Sequence, residues 1–313
     1  MTEPDDGQGE AAPARRRVSR RTLIVSGAAA AVVAVGVGVP AASLAGVLPG
    51  RSTLYRLLGL DGPAGTVPHV ESGPLVQGRF RSGARLGADC GWTIAYPPGS
   101  GPGDRLPVAV VLHGYSNTHS TAFGAHAHGL EAFLAQYVAD GGQPYAIASV
   151  DGGNTYWHPR HSGEDASAMV VDEFLPLLGR HGLDTERIGL LGWSMGGYGA
   201  LRLAGVLGPS RVAAVAAASP ALWHAFPQTP HGSFDDAADF ARNTVFGRQD
   251  ALEGVAVRVD CGTGDGFCAN DEDYVAGFAS RPAGGFTAGG HNNAYWLRMN
   301  PAHVAFVGRA LTP

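Results

Sequence analysis

The stretch GLLGWSMGGYGALRLA, residues 189–204, decides the fold. It starts with apolar residues that suit a buried strand and ends with a mixture of small and apolar residues that suits a helix. Ser194 lies where the two halves meet, with Gly192 two residues before it and Gly196 two residues after it. A serine in an ordinary turn does not need so many neighbours without side chains. The pattern therefore predicts a sharp, strained strand-to-helix turn in which the chain on either side of the serine comes close together.

The rest of the chain supplies a scaffold for this turn. Residues 107–114 form a continuous apolar run, which suits a strand buried on both faces, and 145–153 has the pattern of a further strand. Apolar residues recur at helical spacing in 129–139 and 167–182. Strand and helix patterns in alternation predict an α/β fold with a mostly parallel central sheet and helices on both faces. No linker interrupts residues 76–313, so we expect a single domain there.

The N-terminal segment has the composition of an export signal. Five arginines between residues 15 and 21 precede the uncharged stretch 23–39, and Ser43-Leu44-Ala45 offers small residues to a signal peptidase. The run SRRTLIV, residues 19–25, resembles the twin-arginine signal of bacteria. A membrane-spanning anchor is the alternative, but a span needs about 20 strongly apolar residues, and this stretch is shorter and diluted by glycine.

These features divide the chain into three parts. We expect residues 1–45 to be a twin-arginine-type signal peptide, 46–75 to be a linker or N-terminal extension, and 76–313 to be the catalytic domain. The twin-arginine export machinery is then a transient partner. The protein would be secreted or held in the cell envelope, and it would stay anchored to the membrane if the signal is not cleaved.

Composition excludes some classes of function. The formal net charge is −5, and no basic tract occurs after residue 21, which argues against a nucleic-acid partner because phosphate backbones need clustered cations. The three cysteines are too few for a disulfide framework and lack the spacing of a zinc site. One pair could be oxidised outside the cytoplasm, and the sequence does not say which.

A serine hydroxyl becomes a good nucleophile only when a base takes its proton and a third group orients that base. In folds with this turn the chain order is serine, acid, histidine. His291, in TAGGHNNAYW, follows a short strand and is the candidate base, whereas His303 lies in a helical pattern and suits a surface or packing role. Asp265 follows the strand in VAVRVDCGTGDGF and is the candidate acid. Asp260 is the nearest competitor, but it belongs to the strand and would be held beneath the site.

Backbone amides complete the candidate site. Met195 follows the nucleophile and supplies one donor for a developing oxyanion, and Tyr115, in VVLHGYSN, is the candidate for the second. Trp157 and Trp193 are candidate substrate contacts; for Trp157, ordinary loop packing is the alternative. We expect no cofactor and no metal.

Three histidines are candidate metal ligands. His119, His126 and His128 lie near the oxyanion loop, and the pattern H-x-H can bind metal. Neither a carboxylate nor a cysteine completes an obvious ligand set, so a loop or helix-surface role is favoured.

With these residues in place, the segment 76–313 resembles bacterial esterases of the α/β-hydrolase fold that group with S-formylglutathione hydrolases, feruloyl esterases and mycolyltransferases. GWSMGGYGAL is similar to the S-formylglutathione hydrolase nucleophile turn, and LHG, CGTGDGF and GGH stand where the family places its oxyanion loop, acid and base. The resemblance implies a triad of Ser194, Asp265 and His291 with Tyr115 and Met195 as oxyanion donors. A glutathione-directed enzyme would be cytoplasmic, which the export signal contradicts, and mycolyltransferases use a glutamate as the acid.

The sequence thus predicts an exported serine hydrolase that cleaves carboxylic esters through an acyl-enzyme on Ser194. The substrate would be a small-molecule ester or an ester of the cell envelope or a polysaccharide. An acyltransferase of the mycolyltransferase type with the same triad is the alternative within enzymes. A non-catalytic envelope protein on a hydrolase scaffold is the alternative outside them.

Overall fold

A computed structural model describes residues 51–312 of the chain. Eight strands of this region form one sheet in the order β1-β2-β4-β3-β5-β6-β7-β8. The two pairings that involve β2 are antiparallel, and all the others are parallel. This confirms the mostly parallel sheet. The strands are β1 (Leu75–Ser82), β2 (Ala88–Ala95), β3 (Pro107–Leu112), β4 (Ala146–Val150), β5 (Asp184–Trp193), β6 (Val212–Ala218), β7 (Ala256–Gly262) and β8 (Ala283–Thr287).

Helices follow most of the parallel strands, as the alternating pattern predicts. A helix at Ala166–Ala168 continues through a π-helical segment, Met169–Phe174, into the helix Leu175–Arg180, and a further helix starts directly after Ser194. The helices are α1 (Arg51–Leu57), α2 (Leu130–Ala139), α3 (Ala166–Ala168), α4 (Leu175–Arg180), α5 (Met195–Leu207), α6 (Ala237–Asn243), α7 (Cys268–Ala276) and α8 (Asn293–Leu311). No helix among residues 51–312 is long and apolar enough to cross a membrane.

The sheet separates two hydrophobic cores. Along β3, Val108 and Val110 pack into one core while Ala109 and Val111 pack into the other, because successive side chains of a strand point to opposite faces. All four are completely buried. The strand within residues 107–114 is therefore buried on both faces, as its continuous apolar run predicts.

The segment before β1 contacts the C-terminal helix. Gly65 donates its amide to the carbonyl of Ala294 at 2.8 Å, and the Arg298 guanidinium donates to the carbonyl of Pro63 at 2.6 Å. Part of the expected linker, 46–75, is therefore packed on α8. The expected signal peptide, 1–45, lies outside the described residues.

Candidate active site

The turn around Ser194 is strained and close-packed. Ser194 has φ 54° and ψ −122°, a region that residues with side chains rarely adopt. A Cβ on Gly192 would collide with the carbonyl oxygen of Gly196, and a Cβ on Gly196 would collide with the carbonyl oxygen of Leu112 at the end of β3. Neither position has room for a side chain. The two glycines allow β5 to reverse directly into α5, which lifts the serine above the ends of the strands.

Two neighbouring loops bring an acid and a base to this serine. His291 Nε2 lies 2.9 Å from Ser194 Oγ, and His291 Nδ1 lies 2.8 Å from Asp265 Oδ2. The other carboxylate oxygen of Asp265 accepts a hydrogen bond from the Phe267 amide at 3.0 Å. The Asp265 side chain is fully buried, whereas the His291 side chain is 27% exposed, so the imidazole faces the solvent side of the serine.

Backbone hydrogen bonds hold the acid loop against the base loop. Asp265 lies just beyond β7 and His291 lies just beyond β8, which are adjacent parallel strands. Gly264 donates its amide to Gly289 at 2.7 Å, and Thr263 donates to Thr287 at 2.8 Å. The carboxylate and imidazole therefore meet without large freedom in either loop, as an orienting acid and its base require.

The two predicted oxyanion donors lie at the ends of β3 and β5. Met195 is the first residue of α5, where backbone amides have no partner within the helix. Tyr115 lies in the loop after β3, and its side chain is 56% exposed. Neither amide has a hydrogen-bond acceptor among residues 51–312, so both are available to a ligand oxygen. The loop is fixed at its next residue, since Ser116 donates its amide to the Asn154 side chain at 2.7 Å.

The two tryptophans predicted to contact substrate lie in the interior instead. Trp157 is 1% exposed and donates its indole N–H to the carbonyl of His113 at 3.2 Å. Trp193 is 4% exposed, donates to the Asn117 side chain at 3.1 Å, and stacks on His128 with 3.8 Å between the ring centroids. Large indole rings gain more by filling the space under the loop of residues 113–117 than by facing water. They support the oxyanion loop from beneath and do not face the solvent side of Ser194.

The family model Esterase matches residues 83–296, more than half of the chain. The chain belongs to the Esterase family. No curated protein matches it significantly. The predicted resemblance and the enzyme class, a carboxylic-ester hydrolase, are confirmed at the level of the family.

Solved structures of the predicted group are similar to this esterase. A ferulic acid esterase matches at 21% identity over 76% of this chain and 99% of its own, with a TM-score of 0.65. An S-formylglutathione hydrolase from Agrobacterium tumefaciens matches at 17% identity over 78% and 98%, with a TM-score of 0.62. A ferulic acid esterase from Anaeromyces mucronatus, solved in complex with ferulic acid, matches at 17% identity over 78% and 92%, with a TM-score of 0.59. These likenesses confirm the α/β-hydrolase fold.

An arc of aromatic rings runs from the candidate base to the oxyanion loop, and the sequence pattern did not indicate two of its members, Phe267 and Trp223. It starts at His291 and continues through Phe267, Trp223, Tyr156 and Tyr115, with successive ring centroids 5.3, 5.4, 5.7 and 6.3 Å apart. The only local signal for Phe267 is its place two residues after the acid. Trp223 enters the arc through tertiary contacts alone.

A second histidine–aspartate pair joins β7 to α8. His303 Nε2 is 2.9 Å from Asp260 Oδ2, and the Arg258 guanidinium donates to both oxygens of the same carboxylate at 2.6 and 3.0 Å. Burial raises the pKa of Asp260, but the hydrogen bond and charge of His303 together with Arg258 outweigh burial and lower it overall. Both His303 and Asp260 are buried, so His303 has a packing role rather than a surface one.

The other histidines near the oxyanion loop have structural contacts. His113 is buried; its Nε2 accepts a hydrogen bond from the Gly152 amide at 3.0 Å, and its Nδ1 lies 2.8 Å from the Gly114 carbonyl. Of the three candidate metal-ligating histidines, His119 hydrogen-bonds with the Thr93 hydroxyl at 2.8 Å, His128 stacks on Trp193, and His126 is exposed.

The three cysteines are all buried. No disulfide joins Cys90, Cys261 and Cys268 in the structure.

Proposed function

We propose that the protein hydrolyses carboxylic esters through a covalent acyl-enzyme on Ser194, with His291 as the base and Asp265 as the group that orients it. The observation that carries this proposal is the continuous hydrogen-bonded chain from Ser194 Oγ through the imidazole to the buried carboxylate, with separations of 2.9 and 2.8 Å. Because Asp265 can only accept, it keeps the proton on Nδ1 and leaves the Nε2 lone pair facing the hydroxyl.

The first half of the reaction transfers the acyl group to the enzyme. Ser194 Oγ bonds to the ester carbonyl carbon while its proton passes to His291 Nε2, and the carbonyl oxygen becomes an oxyanion. The amides of Met195 and Tyr115 donate to that oxygen, since both lack protein acceptors among the described residues. The bond from the carbonyl carbon to the alcohol oxygen then breaks, and the alcohol leaves with the proton from His291.

The second half returns the enzyme to its starting state. A water molecule gives one proton to His291 Nε2 and bonds to the acyl carbon, which regenerates the oxyanion in the same place. When the intermediate collapses, the bond to Ser194 Oγ breaks, and the oxygen recovers its proton from His291. The carboxylic acid is released. His291 is 27% exposed, which supports access of water to the acyl-enzyme from the imidazole side.

Labelling by a fluorophosphonate probe tests the covalent step. We expect stoichiometric labelling of native protein, with the adduct on the peptide that contains Ser194 by mass spectrometry. Ser194→Ala should show none, and heat-denatured protein is the control for non-specific reaction. A native protein that is folded by circular dichroism but remains unlabelled and inactive on a range of esters would favour the non-catalytic alternative.

Transfer to an alcohol is the competing outcome, because both reactions share the acyl-enzyme. Product partitioning separates them: a chromogenic ester is hydrolysed while glycerol or a sugar is varied. Free acid should dominate throughout, since no acceptor site is recognisable in the sequence and the acid is Asp265 rather than the glutamate of mycolyltransferases. An acylated acceptor as the main product at low acceptor concentration would establish the transferase.

The substrate proposal is a small-molecule ester or an ester of the cell envelope or a polysaccharide. One similar structure contains ferulic acid, and the partly exposed ring of Phe267 beside His291 offers a face for stacking on an aromatic acyl group. A screen should therefore compare hydroxycinnamate esters with aliphatic esters of increasing length. Phe267→Ala should raise KM selectively for the aromatic esters if the arc binds the acyl group.

Export through the twin-arginine machinery remains part of the proposal. It rests on the sequence SRRTLIV and on the uncharged stretch 23–39. Replacement of Arg20 and Arg21 by lysine should leave the protein inside the cell, whereas the same change at Arg15 and Arg16 should have little effect. N-terminal sequencing of the exported protein tests cleavage near residue 45, and with it the proposed division into 1–45, 46–75 and 76–313.

A further inference from the structure

A cavity of about 200 Å³ lies between α5 and α6, away from the serine. Arg202, on its wall, is eight residues along α5 from Ser194, which is about 12 Å at the rise of an α-helix. Apolar side chains also line the cavity, among them Val206, Val245, Leu252 and Tyr274. The remaining polar lining is dominated by three arginines: Arg202, Arg242 and Arg248. We call this space the arginine cavity.

The positions of the arginine side chains are defined by hydrogen bonds to protein. Arg248 donates to the carbonyls of Arg242 and Ala241 at 2.6 and 2.8 Å, which fixes it at the last turn of α6. Arg202 donates through Nε to the Asn243 side chain at 2.9 Å. Arg242 lies 3.4 Å from the buried carboxylate of Asp239. These contacts fix guanidinium groups around the cavity before any ligand arrives.

Only one of the three guanidinium groups, that of Arg242, is paired with a protein carboxylate within residues 51–312. Neither Arg202 nor Arg248 has a carboxylate oxygen within 4.0 Å there. The Nη1 atom of Arg202 is buried without a hydrogen-bond partner. Burial lowers the pKa of Arg202, which reflects a cation held out of water. The charges of Asp165 and Asp239 offset part of the cost of this burial, and an anion in the cavity would offset more of it.

We propose that the arginine cavity binds a small organic anion, with its carboxylate or phosphate group at the arginines and a short hydrocarbon part against Val206, Val245 and Leu252. Arginine suits both groups because its planar donors pair with two oxygens at once. A cavity of about 200 Å³ accommodates a ligand of about six to nine heavy atoms. The site is separate from the catalytic serine, and its occupancy does not depend on the esterase reaction.

Binding of butyrate, butyl phosphate and the neutral butyramide to the full protein tests the proposal, measured by ligand-observed NMR titration. Butyrate or butyl phosphate should bind, and the comparison of the two identifies the preferred anionic group. Butyramide should not bind. Arg202→Met and Arg248→Met should each weaken anion binding by about tenfold or more, equal to about 1.4 kcal/mol. Arg309→Met, an exposed arginine on α8, is the matched control and should bind like wild type.

Two further measurements keep the test decisive. Ser194→Ala should bind the anions as wild type does, because the cavity is not the acyl site. If Arg202→Met does not fold, the salt dependence of the wild type replaces it: anion binding should weaken as sodium chloride is raised. Equal affinity for butyrate and butyramide, unchanged binding in Arg248→Met, or loss of binding in Ser194→Ala alone would each overturn the assignment.

Discussion

Two aspartates five residues apart should have opposite effects when changed to asparagine. The backbone amide of Phe267 donates to Oδ1 of Asp265 at 3.0 Å. In Asp265→Asn this donor selects the side-chain oxygen of the new asparagine, so that oxygen takes the place of Oδ1. The new NH2 group then faces His291 Nδ1, which must accept rather than donate. The imidazole proton moves to Nε2, so the atom that faces Ser194 can no longer take a proton. We expect kcat to fall by about 10⁴, or about 5 kcal/mol in the barrier, with little change in stability.

Asp260→Asn should instead destabilise the fold and leave turnover largely unchanged. The change removes the anion that pairs with Arg258 and His303, and Asp260 is only 3% exposed. Breaking a buried pair costs about 3–5 kcal/mol, but asparagine keeps the volume and one acceptor, and Arg258 is partly exposed. We therefore expect a loss of about 2–3 kcal/mol, which lowers Tm by roughly 4–6 °C for a domain of this size.

The assay is hydrolysis of p-nitrophenyl acetate at a temperature where both variants are folded, together with thermal melts by circular dichroism. Asp265→Asn should melt near wild type and be nearly inactive. Asp260→Asn should melt earlier and retain turnover within about tenfold of wild type. The assignment of the acid would be refuted by the reverse pattern, in which Asp265→Asn stays active and a folded Asp260→Asn does not.

The remaining predictions concern packing and acid sensitivity. Gly196→Ala should abolish turnover and destabilise by more than about 3 kcal/mol, because its Cβ would collide with the Leu112 carbonyl; full activity with an unchanged Tm would contradict this. Gly205→Ala is the control within the same helix, since its Cβ would meet Ala251 Cβ at an ordinary 3.5 Å, and it should stabilise by about 0.5–1 kcal/mol. Burial lowers the pKa of His128 to about 3, whereas an unfolded histidine titrates near about 6.5. Between those values the unfolded chain binds a proton that the folded protein does not, so the free energy of unfolding falls as pH is lowered below about 6.5, by about 1.4 kcal/mol per pH unit from this group. Urea unfolding at several pH values should show a shallower slope in His128→Phe than in wild type, and equal slopes would show that His128 is not buried neutral.

The strands, the turn and the order of the candidate site residues were readable from local sequence. A run such as 107–112 is apolar at every position only when both faces are covered, and the glycines around Ser194 have no use in a looser turn. Parallel strands also place their carboxyl ends at one edge, so residues after β5, β7 and β8 had to lie near each other. Asp265 and His291 were found because this rule needs no knowledge of side-chain packing.

Packing decided what local sequence could not. Trp157 and Trp193 suggested a substrate pocket by their place beside the site, yet both rings are buried under the oxyanion loop. A tryptophan in a loop has the same local pattern whether it faces water or the core, because its direction depends on which backbone segments lie above it. The contacts of Trp223 could not be predicted from local sequence for the same reason. Its ring comes beside Phe267 and Tyr156 only when residues distant in the chain pack together.

The sequence by itself determined the strand-turn-helix at Ser194 and the alternation of strands and helices that builds a parallel sheet. The geometry of a tight turn and the spacing of buried residues in a strand or helix both depend on only a few neighbouring residues. Only the tertiary structure decided that the two competing residues, Asp260 and His303, pair with each other. Asp260 points from a strand into the interior and pairs with His303, whereas Asp265 lies on a loop that hydrogen bonds join to the loop before His291. The tertiary structure likewise assembled the arginine cavity, since Arg202 and Arg248 are 46 positions apart and come together only when α6 packs against α5.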